Sequence, residues 1–321
     1  MPGRHLLFFS FATVFCASQL LSCANTSAQT HIRHLATIEA DASITATPDP
    51  DPAIHDTAKG DTHTLKVATL NLAHGRKDNL IQFFLSNETI RANLDDIAQA
   101  FRQQQVDIIA LQEADAPSVW SGDFDHVAHL AKQARYPWYI HAHNVNSWFS
   151  TFGTALLSRI PLLEGIEYTF EPSPPTLNKG FVLASIRWSG EAGEQARIVD
   201  IISVHLDFSR QAVREQQIRE MRDLLSARMN PTIILGDFNS EWLQDSSVIK
   251  KLATKSRFTT FQPKSNAYNS YKDKRLDWIL ITKDMEFVSY RLLPDILSDH
   301  RMIIAEIKFK PKPSGIHHAR Q

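Results

Sequence analysis

The sequence predicts an α/β fold in which two mixed sheets pack as a two-sheet sandwich that is flanked by helices. Short apolar runs typical of buried strands recur across residues 64–309, and stretches with helical spacing of apolar residues separate several of them. Strands alternate with helices in some places and follow one another directly in others, which favours two sheets. A chain of 321 residues can also bury a large core without disulfides.

Eight strands are predicted in chain order, each as a short run of mainly apolar residues. They cover residues 65–70, 106–111, 155–157, 182–186, 197–204, 232–235, 276–281 and 302–307. The run at 232–235 is short and almost wholly apolar, as expected of a central strand.

Three helices are predicted between these strands, at residues 88–105, 124–134 and 209–229. In the first helix, Ile90, Leu94 and Ile97 recur at the spacing of one buried face. The third helix carries arginines interleaved with acidic residues, namely Arg210, Arg214, Arg219, Arg222 and Arg228. We interpret them as a solvated helix face rather than a nucleic-acid surface.

The first 30 residues have the pattern of a secretory signal peptide. A mostly apolar run over residues 6–21 is shorter than the ~20 residues of a membrane span. Residues 20–23 resemble a bacterial lipobox ending at Cys23, where acylation would tether the protein to a membrane. Ordinary signal cleavage between residues 24 and 28 is the alternative. Both interpretations predict export, giving a protein that is periplasmic, secreted or lipid-anchored to a bacterial membrane.

Two further segments are predicted to lie outside the folded domain. Residues 31–63 are expected to form a flexible linker, since they contain Thr-Pro-Asp-Pro-Asp-Pro and little apolar surface. Residues 310–321 are basic, contain proline and are expected to form a tail. Residues 64–309 are then expected to fold as one domain.

The composition excludes several kinds of function. Lys and Arg number 34 against 35 Asp and Glu, so a generally basic protein that coats nucleic acid is disfavoured. The two cysteines, Cys16 and Cys23, lie in the predicted leader, which excludes a cysteine nucleophile or a Cys-ligated zinc site in the domain. The sequence has neither a G-x-S-x-G elbow nor a Gly-rich phosphate loop, so serine-hydrolase and nucleotide-kinase functions have no support.

Polar residues suited to catalysis lie at the ends of the predicted strands. They are Asn71, Glu113, His205, Asp237 with Asn239, Asp277, and Asp299 with His300. Taken singly, each has a structural explanation, such as a turn or a helix cap. Together they favour one site, because strand ends are rigid supports that bring several side chains into one pocket.

In their order along the chain, these residues resemble the endonuclease/exonuclease/phosphatase superfamily, whose fold is like that of deoxyribonuclease I. The matching motifs are Thr69-Leu70-Asn71, Leu111-Gln112-Glu113, Gly153-Thr154-Ala155-Leu156-Leu157-Ser158-Arg159, His205-Leu206, Gly236-Asp237-Phe238-Asn239, Leu276-Asp277 and Ser298-Asp299-His300. They run across nearly all of residues 67–307. The Gly-Asp-x-Asn and Ser-Asp-His elements, in that order, are the specific part of the resemblance.

The resemblance implies a divalent cation, Mg²⁺ or else Mn²⁺ or Ca²⁺, held by oxygen ligands. Glu113 would be its best ligand, and Asn71 and Asp299 would help to place the ion or its waters. A hard dication binds carboxylates and neutralises a phosphate while water attacks it.

The resemblance also implies catalytic roles. Asp237 would orient or deprotonate the attacking water, and Asn239 would donate hydrogen bonds to phosphate oxygens. His205 and His300 would flank the phosphate, where developing charge rewards such donors. Asp277 would fix the ring of His300 through one ring N–H.

Two basic residues are candidate contacts to the substrate. Arg76 belongs to the loop 74–88 that follows Asn71, and Lys179 lies where members of the family often place a basic residue near the phosphate. Aromatic residues at 148–152 would stack on bases or enter a lipid interface if exposed. Packing of both loops on the core is the favoured alternative.

The function implied is divalent-metal-dependent phosphoester hydrolysis, in particular cleavage of a phosphodiester by attack of water. The fold does not select the substrate, because specificity lies in the loops. The alternatives are an exported non-specific nuclease, a sphingomyelinase- or phospholipid-type phosphodiesterase and, more remotely, an inactive binding module. The expected partner is a phosphoester substrate, whether nucleic acid, phospholipid or small molecule, and no obligate protein partner is indicated.

Overall fold

The structure, a computed structural model, describes residues 32–41, 44, 64–79, 85–190, 195–255 and 257–311. The predicted leader at 1–30, with Cys16 and Cys23, lies outside these ranges, as does the predicted tail beyond residue 311. Most of the predicted linker and residues 80–84 of the loop 74–88 also lie outside them. None of the helices in the described ranges combines the length and the apolar character that crossing a membrane requires.

Fourteen strands and four helices lie in the described ranges. The strands are β1 (Ile32–Leu35), β2 (Ile38–Ala40), β3 (Leu65–Asn71), β4 (Ile108–Asp115), β5 (Trp138–Asn146), β6 (Thr151–Ser158), β7 (Leu162–Thr169), β8 (Gly180–Trp188), β9 (Arg197–His205), β10 (Thr232–Asp237), β11 (Phe258–Thr260), β12 (Asp277–Thr282), β13 (Met285–Leu292) and β14 (Ile303–Phe309). The helices are α1 (Asn87–Gln104), α2 (His126–Ala134), α3 (Gln211–Ser226) and α4 (Val248–Lys255).

The strands form two seven-stranded sheets. Sheet I has the order β1-β7-β8-β9-β10-β12-β11, and sheet II has the order β13-β14-β3-β4-β6-β5-β2. Both are mixed, because β9 and β10 run parallel in sheet I and β3 and β4 run parallel in sheet II. Each parallel pair is connected through a helix, α3 or α1, which is the crossover that parallel strands need. The predicted two-sheet α/β sandwich is confirmed.

Alternating side chains on the central strands divide the core into layers. On β10, Ile233 and Leu235 pack between the two sheets. Ile234 lies on the opposite face, where it packs with the layer that contains Ile218 and Met221 of α3. The apolar face of α1 covers the outer side of sheet II in the same way. The helices therefore lie outside the sandwich, and the strand ends stay free to carry polar side chains.

Two short strands lie within the segment predicted to be a linker. β1 pairs antiparallel with β7 and β2 pairs antiparallel with β5, so residues 32–40 extend one edge of each sheet. No residue of β2 is fully buried, and Leu35 of β1 is 84% exposed. Edge strands of this kind leave only a weak pattern in the sequence, because their stability comes from pairing with a neighbour. Over these residues the structure differs from the predicted linker, while the bounds of the leader and the tail remain predictions.

The arginines predicted to form a solvated helix face do not all do so. Arg214 is buried, and its Nη1 donates to the backbone oxygen of Asp207 at 3.0 Å. Arg228 lies beyond the end of α3 and donates to carboxylate oxygens of Asp200 at 2.7 Å and Glu164 at 2.8 Å. The interpretation is wrong for these two side chains, because their partners lie on other elements that helical spacing does not reveal.

Candidate active site

Three neighbouring strands of sheet I carry candidate residues at one edge. Asp237 at the end of β10 pairs in register with His205 of β9 on one side and with Asp277 of β12 on the other. Gly236 lets these strands approach closely, since a Cβ there would lie 2.0 Å from the backbone oxygen of Val204. The register of the sheet therefore places three of the predicted residues side by side.

Buried polar bonds join this edge to the facing edge of sheet II. Gln112 Nε2 donates to Ser203 Oγ on sheet I at 3.0 Å, and Ser203 Oγ donates to the backbone oxygen of Leu111 at 2.8 Å. Thr69 Oγ1 donates to Gln112 Oε1 at 3.2 Å. Because leaving these buried groups unpaired costs free energy, the bonds hold the two edges at a fixed separation. Ser203 was not recognised from the sequence.

Glu113 lies at a β-bulge in β4, where the register with β6 shifts. Its φ is 48°, a left-handed conformation that is rare for a residue with a Cβ. Its Oε1 lies 4.0 Å from His205 Nε2, and its Oε2 lies 3.4 Å from His74 Nε2. Burial raises the pKa of Glu113, but nearby positive groups, above all His74 and Lys179, outweigh burial and hold the pKa well below its usual range. Glu113 is therefore ionised at neutral pH, as a ligand for a cation must be.

Asp237 is buried and held by two donors. Asn71 Nδ2 donates to Asp237 Oδ2 at 3.2 Å, and the backbone N–H of Asn239 donates to Oδ1 at 2.9 Å. The Asn239 side chain donates to the backbone oxygen of Leu206 at 3.1 Å. Burial and the nearby charge of Asp277 raise the pKa of Asp237 to about 7. Asp237 can thus exchange a proton near neutral pH, which a general base must do.

His300 is oriented by a carboxylate. Its Nδ1 donates to Asp277 Oδ2 at 2.7 Å, and Ser270 Oγ donates to the same oxygen at 2.6 Å. Its Nε2 lies 4.0 Å from Asp237 Oδ2. Burial alone would lower the pKa of His300, but the charge and the hydrogen bond of Asp277 outweigh burial and raise the pKa to about 10. The contact expected between Asp277 and His300 is present, whereas Ser270 was not recognised from the sequence.

The remaining predicted residues lie in two places. Lys179 is buried in the site, and its Nζ lies 3.2 Å from His205 Nε2. The same nitrogen of His205 lies 3.5 Å from Asp237 Oδ2. Burial lowers the pKa of Lys179, and burial together with the Lys179 charge lowers that of His205, so the His205 ring is neutral. Arg76 and Asp299 pair with each other, with Arg76 donating to Asp299 Oδ2. The predicted cation ligand Asp299 thus already balances a charge of the protein.

The donors at this edge fit a divalent cation. One oxygen each of Asp237 and Asp277 and one ring nitrogen of His300 lie within 4.8 Å of one another, but the protonated His300 ring cannot itself bind a cation. Asp277 Oδ1 is buried and accepts no hydrogen bond from the part of the chain that the structure describes. Hard cations prefer oxygen ligands, so the two aspartates are candidate ligands beside the ionised Glu113. The ligand set predicted from the sequence, Glu113 with Asn71 and Asp299, stays a prediction.

A second polar chain behind Glu113 was not recognised from the sequence. His74 Nδ1 lies 2.8 Å from Asp115 Oδ2, and Trp120 Nε1 donates to Asp115 Oδ1 at 2.9 Å. Burial lowers the pKa of His74, but the charges of Asp115 and Glu113 outweigh burial and raise it. The available signal was Asp115 itself, a second acidic residue in a strand that is otherwise largely apolar.

A family model described as "Endonuclease/Exonuclease/phosphatase family" matches residues 68–300. Among solved structures, the chain is similar to an endonuclease/exonuclease/phosphatase from Beutenbergia cavernae, at 18% identity and a TM-score of 0.58, over 77% of this chain and 72% of that one. It is similar to a family protein from Leptotrichia buccalis, at 18% identity and a TM-score of 0.58, over 77% of this chain and all (100%) of that one.

A further similar structure is a mannosyl-6-phosphatase from Bacteroides thetaiotaomicron, at 16% identity and a TM-score of 0.54, over 76% of this chain and 100% of that one. At these identities the similarity shows a shared fold. Comparison with curated proteins found no match. The expectation of a deoxyribonuclease I-like fold is confirmed.

Proposed function

Because the chain belongs to the endonuclease/exonuclease/phosphatase family, we propose that it is a divalent-metal-dependent phosphoesterase that cleaves phosphodiesters by attack of water. The observation that carries this proposal is the placement of Asp237 next to the Asp277–His300 pair at one strand edge. Asp237, a base with a pKa of about 7, thus lies beside the positively charged ring of His300. Glu113 adds an ionised ligand from the facing sheet.

Asp237 acts as the general base in this mechanism. Its two oxygens are held by Asn71 and by the backbone of Asn239, so its orientation does not depend on solvent. It takes a proton from water as the water oxygen forms its bond to phosphorus. The bond between phosphorus and one ester oxygen breaks, and the leaving oxygen takes a proton from solvent. The products are a phosphomonoester and an alcohol.

His300 stabilises the charge that builds on the phosphate. The bond from its Nδ1 to Asp277 leaves Nε2–H directed away from that carboxylate, where it donates to a phosphate oxygen. Lys179, whose Nζ lies 3.2 Å from Nε2 of the neutral His205 ring, adds a positive charge beside His205. Donors that are already fixed before reaction lower the barrier, because they need not reorganise as charge develops.

Glu113 would hold the cation in this proposal, with Asn71 and, beside its pairing with Arg76, Asp299 helping to place it, and Asp277 would offer a further oxygen. When bound, the cation neutralises phosphate charge that would otherwise repel an incoming nucleophile. Mg²⁺ is the first choice for such oxygen ligands, with Mn²⁺ or Ca²⁺ as alternatives.

A phospholipid-type phosphodiesterase is a narrower candidate that one observation favours. Trp148, Phe208 and Leu243 are 85%, 64% and 68% exposed, and each lies on a loop that joins elements of the domain. Phe208 and Leu243 follow His205 and Asn239 by only a few residues, so these apolar side chains are close in sequence to the site. Exposed aromatic and aliphatic residues of this kind enter a lipid interface readily. A nuclease that stacks bases on Trp148 is the competing explanation.

Turnover of bis(p-nitrophenyl) phosphate by the full-length chain tests the proposal. We expect hydrolysis with Mg²⁺, Mn²⁺ or Ca²⁺ that a chelator abolishes. Plasmid nicking would then identify a nuclease, and release of headgroups from phospholipid vesicles would identify a lipid phosphodiesterase. Failure of every substrate with every cation would favour an inactive binding module instead.

We also propose that the protein is exported, because residues 1–30 have the pattern of a signal peptide. Intact-mass measurement of the chain produced in a bacterial host checks this proposal. A lipidated chain that begins at Cys23 would establish a membrane tether, and cleavage between residues 24 and 28 would establish a soluble exported form. An unprocessed amino terminus would contradict export.

A further inference from the structure

The turn after β3 has an unusual backbone. Ala73, His74 and Gly75 have φ values of 46°, 57° and 73°, so three consecutive residues adopt the left-handed conformation. For the two residues that carry a Cβ this conformation costs free energy, and such strain persists only where surrounding contacts impose it. Asn71 Oδ1 accepts from the backbone N–H of Ala73 at 3.0 Å, and Asn93 Nδ2 donates to the Gly75 oxygen at 2.9 Å.

The strained turn carries His74 into the interior. The ring lies edge-on to Trp120 and Phe152, with centroid distances of 4.5 Å and 4.7 Å. The contact of Nδ1 with Asp115 at 2.8 Å fixes the ring plane, and Trp120 Nε1 holds the other oxygen of Asp115 at 2.9 Å. Ring contacts and a buried carboxylate thus leave His74 little rotational freedom.

The other nitrogen of this ring contacts Glu113. His74 Nε2 lies 3.4 Å from Glu113 Oε2, while Glu113 Oε1 lies on the side of His205. Glu113 also has a left-handed backbone, with a φ of 48°. Two strained residues on different segments, His74 and Glu113, therefore face each other. Glu113 Oε2 contacts His74, whereas Glu113 Oε1 faces the site.

We propose that His74, fixed by Asp115, is a positioning residue that holds the Glu113 carboxylate in its cation-binding orientation. The inference rests on the proposed function, since it assigns Glu113 as the ligand. A residue that contacts a metal ligand, but not the ion itself, sets the orientation of that ligand. Loss of such a residue typically reduces ion affinity or activity about 10–100-fold.

Three substitutions of His74 separate positioning from simple packing. Gln places an amide nitrogen near the position of Nε2 and can still donate to Glu113. Asn places its amide nitrogen near the position of Nδ1, so it can contact Asp115 but not Glu113. Ala removes both contacts. A packing role predicts that Gln and Asn behave alike, whereas positioning predicts that Gln alone is close to the wild type.

The experiment measures Mg²⁺ binding by calorimetry on the full-length chain and on His74→Ala, His74→Asn and His74→Gln, alongside kcat, KM and thermal melting. We expect Mg²⁺ affinity to fall about 10–100-fold in the Ala and Asn variants and to be largely restored in the Gln variant. In the Ala and Asn variants, we expect the Mg²⁺ concentration needed for half-maximal activity to rise by a larger factor than the factor by which kcat at saturating Mg²⁺ falls.

His126→Gln is the matched control. His126 Nδ1 lies 3.9 Å from the same Asp115, and its Nε2 donates to the Ser121 oxygen at 2.8 Å, a bond that Gln can keep. This variant should bind Mg²⁺ as the wild type does. Unchanged Mg²⁺ affinity in the folded Ala and Asn variants would overturn the role of His74. Normal Mg²⁺ binding without hydrolysis of any substrate would overturn the proposed function alone.

Discussion

Replacing Asp237 with Asn is expected to lower kcat by about 10²–10⁴-fold, the range that a general base contributes. Asn has nearly the same shape and, with its single side-chain oxygen, can still accept one of the two hydrogen bonds that Asp237 receives. It cannot take a proton from water, however, so the step that generates the nucleophile is lost. Hydrolysis of bis(p-nitrophenyl) phosphate at saturating Mg²⁺ measures the effect.

The pH dependence of the wild-type enzyme should report the same group. Since burial and Asp277 raise the pKa of Asp237 to about 7, its carboxylate becomes available as a base only as the pH rises. The pKa of His300 is about 10, so its charge is retained across the neutral range. We expect kcat/KM to rise with pH along the acidic limb of its pH profile. A bound divalent cation should lower the pKa of Asp237 and so move this limb to lower pH. Asp237→Asn should lack this limb.

The same substitution should stabilise the cation-free protein at alkaline pH. The pKa of Asp237 is higher in the folded chain than its ordinary value of ~3.9, so the folded state binds the proton more tightly than the unfolded state does. This contribution to stability is complete below pH ~4 and is lost as the pH rises through about 7. In the presence of a chelator, Asp237→Asn should therefore melt at a higher temperature than the wild type at pH 8. The difference should shrink as the pH falls toward 4.

The exposed carboxylate Asp245 provides a matched control for these measurements, because Asp245→Asn removes a charge at the surface. That variant should keep the activity and the pH dependence of the wild type. Near-full kcat in a folded Asp237→Asn variant would contradict its role as the base. A difference in melting temperature between wild type and Asp237→Asn that stays the same from pH 4 to pH 8 would contradict the raised pKa of Asp237.

The second large effect is expected at His300. Replacing His300 with Ala should lower kcat by about 10²–10³-fold, the loss typical of one donor to a developing negative charge. The buried ring packs against Tyr271 at a centroid distance of 4.7 Å, and its Nδ1 donates a hydrogen bond to Asp277. Thermal melting should show that the Ala variant still folds, which separates a catalytic loss from a structural one.

Asp277→Asn tests the reason for the charge on His300. The carboxylate of Asp277 raises the pKa of His300 to about 10, so its neutral replacement should lower that pKa. Activity on the alkaline side should then fall at a lower pH than in the wild type, and the His300 ring signals in an NMR titration should shift in parallel. An unchanged alkaline limb would contradict the pairing.

The pair of His129 and Asp95 is the control for both variants, because His129 Nε2 lies 2.8 Å from Asp95 Oδ1 and Asp95 is exposed. His129→Ala and Asp95→Asn should leave kcat and its pH profile unchanged. A comparable loss in these variants would mean that any His–Asp pair of the domain affects turnover.

Apolar periodicity was sufficient to predict the framework of this protein. Residues 232–235 were predicted as a central strand, and β10 is buried along its whole length. The spacing of Ile90, Leu94 and Ile97 predicted a helix whose buried face is the one observed in α1. The helix prediction succeeds because burial of one helix face repeats with the helical period, and the strand prediction succeeds because a strand buried on both faces is a continuous apolar run.

Motifs at the strand ends predicted which residues would lie close together, but not the distances or the hydrogen bonds between them. Asn71 and Asp237 are 166 positions apart and come into contact because the two sheets present their strand ends at facing edges. The distances and the shared hydrogen bonds depend on sheet register and on the buried link through Gln112 and Ser203. Neither is a local property of the chain.

The sequence alone predicted two mixed sheets, flanking helices and a cluster of acidic and imidazole side chains at the strand ends. It did not predict the left-handed backbone of Glu113, the contacts of His74 with Asp115 and Glu113 or the strand pairing of residues 32–40. The protonation of Asp237 and His300 also depended on the assembled structure, because each pKa is set by burial and by charges that distant segments bring near. Patterns within one element carry information about that element, whereas orientation and charge state arise from contacts between elements.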